Sequence, residues 1–388
     1  MKQPSLYLVL SAVVSHGANA EGEWIEARKL RPEDAAGESF VGRAVSVFGD
    51  TAIAAGVPSC FKDDPCGDVC AGSGSAYLFE ATTGRQLHRL APQDEPTNDR
   101  FGRSVDIFGN RAIVGANLDD GDATDAGAAY IFDVGTGQQL HRLSPGPGSL
   151  NYRFGHSVAI DASFAVVGTA CDGSVHVFDA VTGEFLYDLR RPSASFGRSI
   201  ALDNGVLLVG QSSAASLFDV SSGKELGTFS GPAGVGFGAS VALESGIAVV
   251  GAPFTGANYG SAFIFDVQTL QQVHELTADK RFETESAYFG HSVSISDGFA
   301  VIGALFEEGG CAGQCPAYIF DVSNGELVQR LVASDAAFGE QIGQSVDIDG
   351  TTLIVGAPLD DDASQNAGAI YVFVRCLDLT GDQSVGIG

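Results

Sequence analysis

The chain repeats one short phrase seven times, and that repetition limits its possible folds more than any other feature. Phe-Gly-x-Ser-Val or a close variant stands at residues 101–105, 154–158, 196–200, 237–241 and 289–293, with looser copies at 342–346 and 41–45. The glycines of the phrase are Gly42, Gly102, Gly155, Gly197, Gly238, Gly290 and Gly343, spaced 60, 53, 42, 41, 52 and 53 residues apart. Thirteen residues after six of them comes a second glycine, at Gly115, Gly168, Gly210, Gly251, Gly303 and Gly356; in the first copy it is off by one, at Gly56. A unit of this length buries its apolar face only against its neighbours, so the copies must stack into one array.

Each copy resolves into four short strands. Residues 104–108 alternate in polarity, Gly109-Asn110 reverses the chain, and 111–115 run back as a small apolar strand. After a variable loop, Ala129-Tyr130-Ile131-Phe132-Asp133 gives the third strand, and Gly135-Thr136-Gly137 turns it into the fourth, Gln139-Leu140-His141-Arg142-Leu143. The third-strand phrase recurs around Phe79, Phe178, Phe218, Phe265 and Phe320, each followed by Asp or Glu and then by a turn dipeptide ending in Gly in most copies. A carboxylate there serves a hairpin by accepting from turn amides, whereas the alternative is a ring of ligand carboxylates.

The seventh copy stops after its third strand, at residues 369–373, while Trp24 to Leu30 precede the first copy as an orphan fourth strand. Pairing the orphan beside residues 370–373 would close a ring of seven four-stranded sheets, leaving no edge between first and last blade. The expected fold is an all-β, seven-bladed propeller.

The Phe-Gly-x-Ser-Val starts, together with Val250-Gly251-Ala252-Pro253 and Val355-Gly356-Ala357-Pro358, resemble FG-GAP repeats, and the resemblance covers about residues 24–374. It implies the β-propeller found at the head of integrin α subunits and in many bacterial surface proteins. It implies little about activity, because propellers host unrelated functions. Integrin propellers carry calcium loops between first and second strands; here those turns are as short as Gly109-Asn110, Asp203-Asn204-Gly205 and Asp349-Gly350. One carboxylate in such a turn cannot supply the 6–8 oxygens that calcium takes, so those sites do not carry over.

The acid sits in the second-to-third-strand loops instead: Asp360, Asp361 and Asp362 in blade seven, Asp63, Asp64 and Asp68 in blade one, and Asp119, Asp120, Asp122 and Asp125 in blade two. Blades three and four have only Cys171-Asp172-Gly173 and Gln211-Ser212-Ser213 there. Two readings stand: a rim that binds Ca²⁺ or a cationic partner, or a solvated acidic surface. In the tail, Asp378, Thr380, Asp382 and Ser384 fall at positions 1, 3, 5 and 7 of an EF-hand-type loop. This resembles the start of a dockerin repeat, although Gln383 replaces the glycine of position 6 and the chain ends at Gly388, before position 12. A longer original chain is the expectation.

Domain limits follow as 1–20, 21–374 and 375–388. Lys2, the apolar run 6–14 and Ala18-Asn19-Ala20 read as a signal peptide cut before Glu21, with a buried first strand as the alternative. No later run reaches the roughly 18 apolar residues of a membrane span. Export would favour disulfides, so Cys311–Cys315 and one pair among Cys60, Cys66 and Cys70 are expected. Of the seven cysteines, which include Cys171 and Cys376, at least one stays unpaired; a zinc site at the blade-one cysteines matches no known spacing.

With 48 acidic against 21 basic residues the net charge is −27, which argues against nucleic acid and anionic membranes as partners. Catalytic patterns are scarce. His156 and His291 share a repeat position with Arg103, Arg198, Ala239 and Gln344, which reads as a tolerant site; His88, His141 and His274 lie on fourth strands; and a nucleophilic Ser is not needed in six blades. The expected function is therefore a monomeric, secreted or cell-surface, non-catalytic module for adhesion, recognising an extracellular protein or glycan through upper-face loops with possible help from Ca²⁺. The alternative is a quinoprotein-type dehydrogenase. Asp179-Ala180-Val181-Thr182-Gly183-Glu184 resembles that family's Asp-Ala-x-Thr-Gly-Lys phrase, but Trp24 is the one Trp where that family uses many. Glycan hydrolysis, a third possibility, lacks an Arg cluster or Tyr-Glu pair placed for it.

Overall fold

A computed structural model of the chain describes residues 22–34, 38–57, 73–93, 99–146, 152–193, 195–232, 236–278, 288–305, 317–337 and 339–376. The expected signal peptide at 1–20, the blade-one loop with Cys60, Cys66, Cys70, Asp63, Asp64 and Asp68, the cysteines Cys311 and Cys315 and the tail residues Asp378, Thr380, Asp382 and Ser384 lie outside the described residues. Cys376 is a free thiol.

Twenty-eight strands form seven four-stranded antiparallel sheets, each sheet one repeat. Blade one is Ala44–Phe48, Thr51–Gly56, Ser75–Glu80 and Gln86–Leu90; blade two is Phe101–Phe108, Arg111–Ala116, Ala128–Asp133 and Gln139–Leu143. One four-residue helical turn, Thr255–Asn258, is the only helix among the described residues. The N-terminal strand Trp24–Leu30 pairs antiparallel with Ala369–Arg375, Trp24 opposite Arg375 and Leu30 opposite Ile370, and so completes blade seven. Trp24 is buried and meets Phe299 edge-on at 6.4 Å. First strands of adjacent blades touch all the way around and line the propeller axis. The second and third strands, Val- and Ile-rich on both faces, fill the space between blades.

The recurring serine joins blades. Ser104 Oγ donates to the Gly155 carbonyl at 2.9 Å, Ser157 to Gly197 at 2.7 Å, Ser199 to Gly238 at 2.8 Å, Ser240 to Gly290 at 2.8 Å, Ser292 to Gly343 at 3.1 Å and Ser345 to Gly42 at 2.8 Å. The acceptor is always the motif glycine of the following blade. Blade one has Ala44 in this position and forms no such bond.

A second joint runs around the outer strands. His88 Nε2 meets the Gly135 carbonyl at 3.0 Å, His141 the Val181 carbonyl at 2.9 Å and His274 the Ser323 carbonyl at 3.3 Å, each in the hairpin turn of the next blade. Their rings occupy the space that a Cβ would need at Gly137, Gly183 and Gly325. Between blades four and five the fit is inverted: Gly227 on the fourth strand receives the side chain of Leu270 from the turn. At the ring closure the equivalent residue, Gln329, clasps both backbone groups of Trp24, at 2.8 and 2.7 Å. His141→Ala should lower stability by about 1 kcal/mol through the lost bond and ring packing, read by chemical denaturation; a change near zero would mean the contact is incidental.

The acid after each third-strand Phe is a hairpin device. Asp133, Asp179, Asp219, Asp266 and Asp321 each accept from amides of the following turn, at 2.6–2.9 Å. Hydrogen bonds from side chains and amides of the turn hold all five carboxyls below their ordinary range. The Asp179–Gly183 phrase that resembles a quinoprotein motif is one of these turns.

Candidate functional site

The acidic loops of blades two and seven share one architecture. In blade two, Asp119 is 1% exposed, accepts from Tyr130 OH at 2.5 Å and pairs with Arg142 at 2.5 Å. In blade seven, Asp360 is 0% exposed, accepts from Tyr371 OH at 3.4 Å and pairs with Lys29. Tyr130 lies opposite Arg142 and Tyr371 opposite Lys29 across the third and fourth strands, so strand register delivers the cation to the loop. Asp120 accepts from the Asp125 amide at 2.8 Å and Asp361 from the Asn366 amide at 2.6 Å, with Asp125 and Asn366 both at φ 50°. Asp122 also pairs with Arg142 at 3.2 Å, and Asp362 with Lys29 at 2.8 Å and with Arg31. Burial pushes the Tyr371 hydroxyl up, helped by Asp335, Asp360 and Glu340.

Asp119, Asp120, Asp122, Asp125, Asp360, Asp361 and Asp362 therefore fall in two separate clusters. Asp119, Asp122, Asp360 and Asp362 are held by a cation of the chain's own fourth strand, and Asp120 and Asp361 by loop amides. Among the described residues, no three His, Cys, Asp or Glu side chains are gathered to hold a metal. Asp119→Ala would remove the carboxylate that accepts from the Tyr130 hydroxyl and pairs with Arg142. A loss of about 2 kcal/mol is expected in a denaturant titration; an unchanged midpoint would show the pair to be dispensable.

A different constellation surrounds the upper mouth of the axis. In six blades the amide after the motif glycine donates back to the carbonyl two residues before that glycine: Arg43 to Phe40, Arg103 to Arg100, Arg198 to Ser195, Ala239 to Gly236, His291 to Tyr288 and Gln344 to Gln341. These tight turns present two side chains per blade. Phe40, Arg100, Arg153, Tyr288 and Gln341 hold φ between 43° and 54°, a region costly for residues with a side chain. Going around, blades one to four present Phe40 and Arg43, Arg100 and Arg103, Arg153 and His156, then Ser195 and Arg198; blades five to seven present Gly236 and Ala239, Tyr288 and His291, then Gln341 and Gln344.

Neighbouring blades touch through these side chains. Arg103 lies 3.4 Å from His156 Nε2, and Gln344 lies 3.1 Å from His291 Nε2. Burial, and then the charges of Arg103, Arg198, Arg153 and Arg100, hold His156 well below its ordinary pKa. In the next blades around the ring, Phe254 packs over Gly236 and meets Tyr288 edge-on at 5.8 Å; Phe254 is 47% exposed and nearby Tyr259 is 39% exposed. The tolerant position of the motif is thus one at which the blades carry Arg, His, Ala or Gln beside the axis.

Deeper along the axis, the residues four after each motif glycine are Ser46, Asp106, Ala159, Ala201, Ala242, Ser294 and Asp347. The polar four are consecutive around the ring and bonded: Ser294 Oγ donates to Asp347 at 2.6 Å, and Ser46 Oγ lies 3.0 Å from both Asp347 and Asp106. Asp106 is pushed up to about 7, chiefly by burial and also by the charge of Asp347. Burial raises Asp347 as well.

The FG-GAP repeat family matches the chain at residues 85–132 and 326–373, each match running from a fourth strand through the next blade to its third strand and including the Asp and Tyr of one such loop but not its cation. No curated protein matches the chain.

Proposed function

We propose, for a chain that carries FG-GAP repeats on a seven-bladed propeller, that it is a secreted or cell-surface binding module, non-catalytic, recognising an extracellular protein or glycan through its upper face. One observation carries this reading. Around the upper mouth the two positions beside the motif glycine carry a different residue pair in each blade, on a backbone turn shared by six of the seven, while the flanking Phe, Gly and Ser are repeated for packing and blade joining. A fixed frame with variable display is the arrangement of a recognition surface. No helix among the described residues is long and apolar enough to cross a membrane.

The test is a screen of the full chain against immobilised glycans and extracellular-matrix proteins. Any binder found should be lost in Arg198→Glu on the upper face and kept in Asn204→Ala, in a lower-face turn. Binding that depends on the lower face, or none in the screen, would sink the reading. Because Asp119, Asp120, Asp122, Asp360, Asp361 and Asp362 already have partners within the chain, the calcium proposal rests on Asp378, Thr380, Asp382 and Ser384. It is checked by a thermal melt with calcium and then with chelator, a shift that Asp378→Ala abolishes being the supporting result.

A further inference from the structure

The upper mouth is divided by chemistry. Blades two to four contribute Arg100, Arg103, Arg153, His156 and Arg198, in a chain whose net charge is −27. Arg198 is exposed. The adjoining sector, blades five and six, contributes small residues, Gly236 and Ala239, and the exposed aromatic faces of Phe254 and Tyr259 beside Tyr288. Cations here are not an average of the surface, because the upper-face loops further out are acidic. Arg103 meets His156, whose pKa burial and the charges of the four arginines hold well below its ordinary value.

We propose that this mouth binds an acidic oligosaccharide, the carboxylate of a uronate unit lying against Arg103 and Arg198 and a neighbouring sugar ring against the exposed ring of Phe254. The inference rests on the binding-module reading and names its ligand class. Guanidinium and carboxylate match in shape as well as charge, through paired N–H donors. The aromatic sector offers flat apolar surface to the C–H face of a pyranose, with Phe254 seated on Gly236 and the small Ala239 beside it. A polyphosphate backbone meets the acidic outer loops across its whole length and is disfavoured. A short uronate with its charges spaced by sugar rings reaches the mouth alone.

The experiment is calorimetry of the full chain with trigalacturonate, and with its methyl ester as the neutral probe. Binding of the acid, weakened about tenfold or more in both Arg198→Glu and Phe254→Ala and by a similar factor in the ester, is the expected result. Arg198 and Phe254 are exposed, so these variants should fold; Arg190→Glu, on a fourth strand, should bind like the parent. Equal binding of acid and ester, an unaffected Arg198→Glu, no heat with trigalacturonate, or equal competition by a polyglutamate peptide would each overturn the proposal. If a protein or neutral glycan is then captured through the same face, only this inference fails. If the upper face captures nothing, the binding-module reading fails with it.

Discussion

Replacing Gly115 by alanine should destabilise the propeller by about 4 kcal/mol, a drop of roughly 5 °C in Tm. A Cβ on Gly115 would fall well inside van der Waals contact of the Gly155 carbonyl oxygen and of Ser104 Oγ. These are the two atoms of the blade-two to blade-three serine bond, so neither moves without breaking it. Gly115 and Ser104 face each other across the first two strands. The same conflict holds at Gly168, Gly210, Gly251, Gly303 and Gly356, each opposite a serine that bonds the next blade. Blade one shows the alternative: Ala44 faces Ala55, with neither hydroxyl nor glycine. Serine and glycine thus change together, and the double variant Ser104→Ala, Gly115→Ala should recover part of the loss, about 1–2 kcal/mol, because one of the two clashes is removed. Strict additivity in that cycle, or a Gly115→Ala protein as stable as the parent, would show that the serine joint does not dictate the glycine.

The same pair explains what spacing alone missed. The first copy looked displaced by one residue because Gly56 was matched to the second glycine of other repeats. In register it is Ala55 that stands there, and no residue is inserted. The number of blades and the closing strand were legible in the sequence because a constant glycine position and an orphan strand are one-dimensional signals. The acidic loops were legible only by half. Asp119 and Asp360 could be seen, but their cations lie 23 and 331 residues away and arrive only through strand register. The upper mouth was misread for a different reason. Variation at the residue after the motif glycine was taken for tolerance, and its partner two residues before that glycine lies just outside the repeated phrase. A backbone turn with φ near 50° is what brings the two together. Asp106 and Asp347 were invisible as a pair, being 241 positions apart and joined only by Ser46 across the ring closure.

That axial pair gives the protein an acid-favouring stability profile, in which the folded state should be most stable near pH 4–5 and lose about 4 kcal/mol as the pH rises to 8. Asp106 titrates at about 7 in the fold, against an ordinary 3.8, because burial disfavours its anion and Asp347 opposes a second charge. Between those values the folded chain keeps a proton that the unfolded chain has released. The resulting stability is fully present below about 4 and is lost as the pH passes through about 7. Asp347, Glu244 and Glu340 are raised by burial and act in the same direction. The hairpin carboxylates Asp133, Asp179, Asp219, Asp266 and Asp321 are lowered and act oppositely, losing their turn bonds only in stronger acid, which sets the lower limit of the optimum. General repulsion in a chain of charge −27 also grows with pH, so the profile of the parent does not by itself assign the effect to the axis. Asp106→Asn makes the assignment. Its amide keeps the size of the carboxyl, and although one of the bonds from Ile107 and Ile160 is weakened, the slope between pH 5 and 8 should flatten while the absolute Tm at pH 5 falls. A Tm that is flat or rising across that interval in the parent, or a slope unchanged in Asp106→Asn, would mean that both axial carboxylates are already ionised. Ser46 would then be holding two anions together, which a hydroxyl with a single proton to donate does poorly.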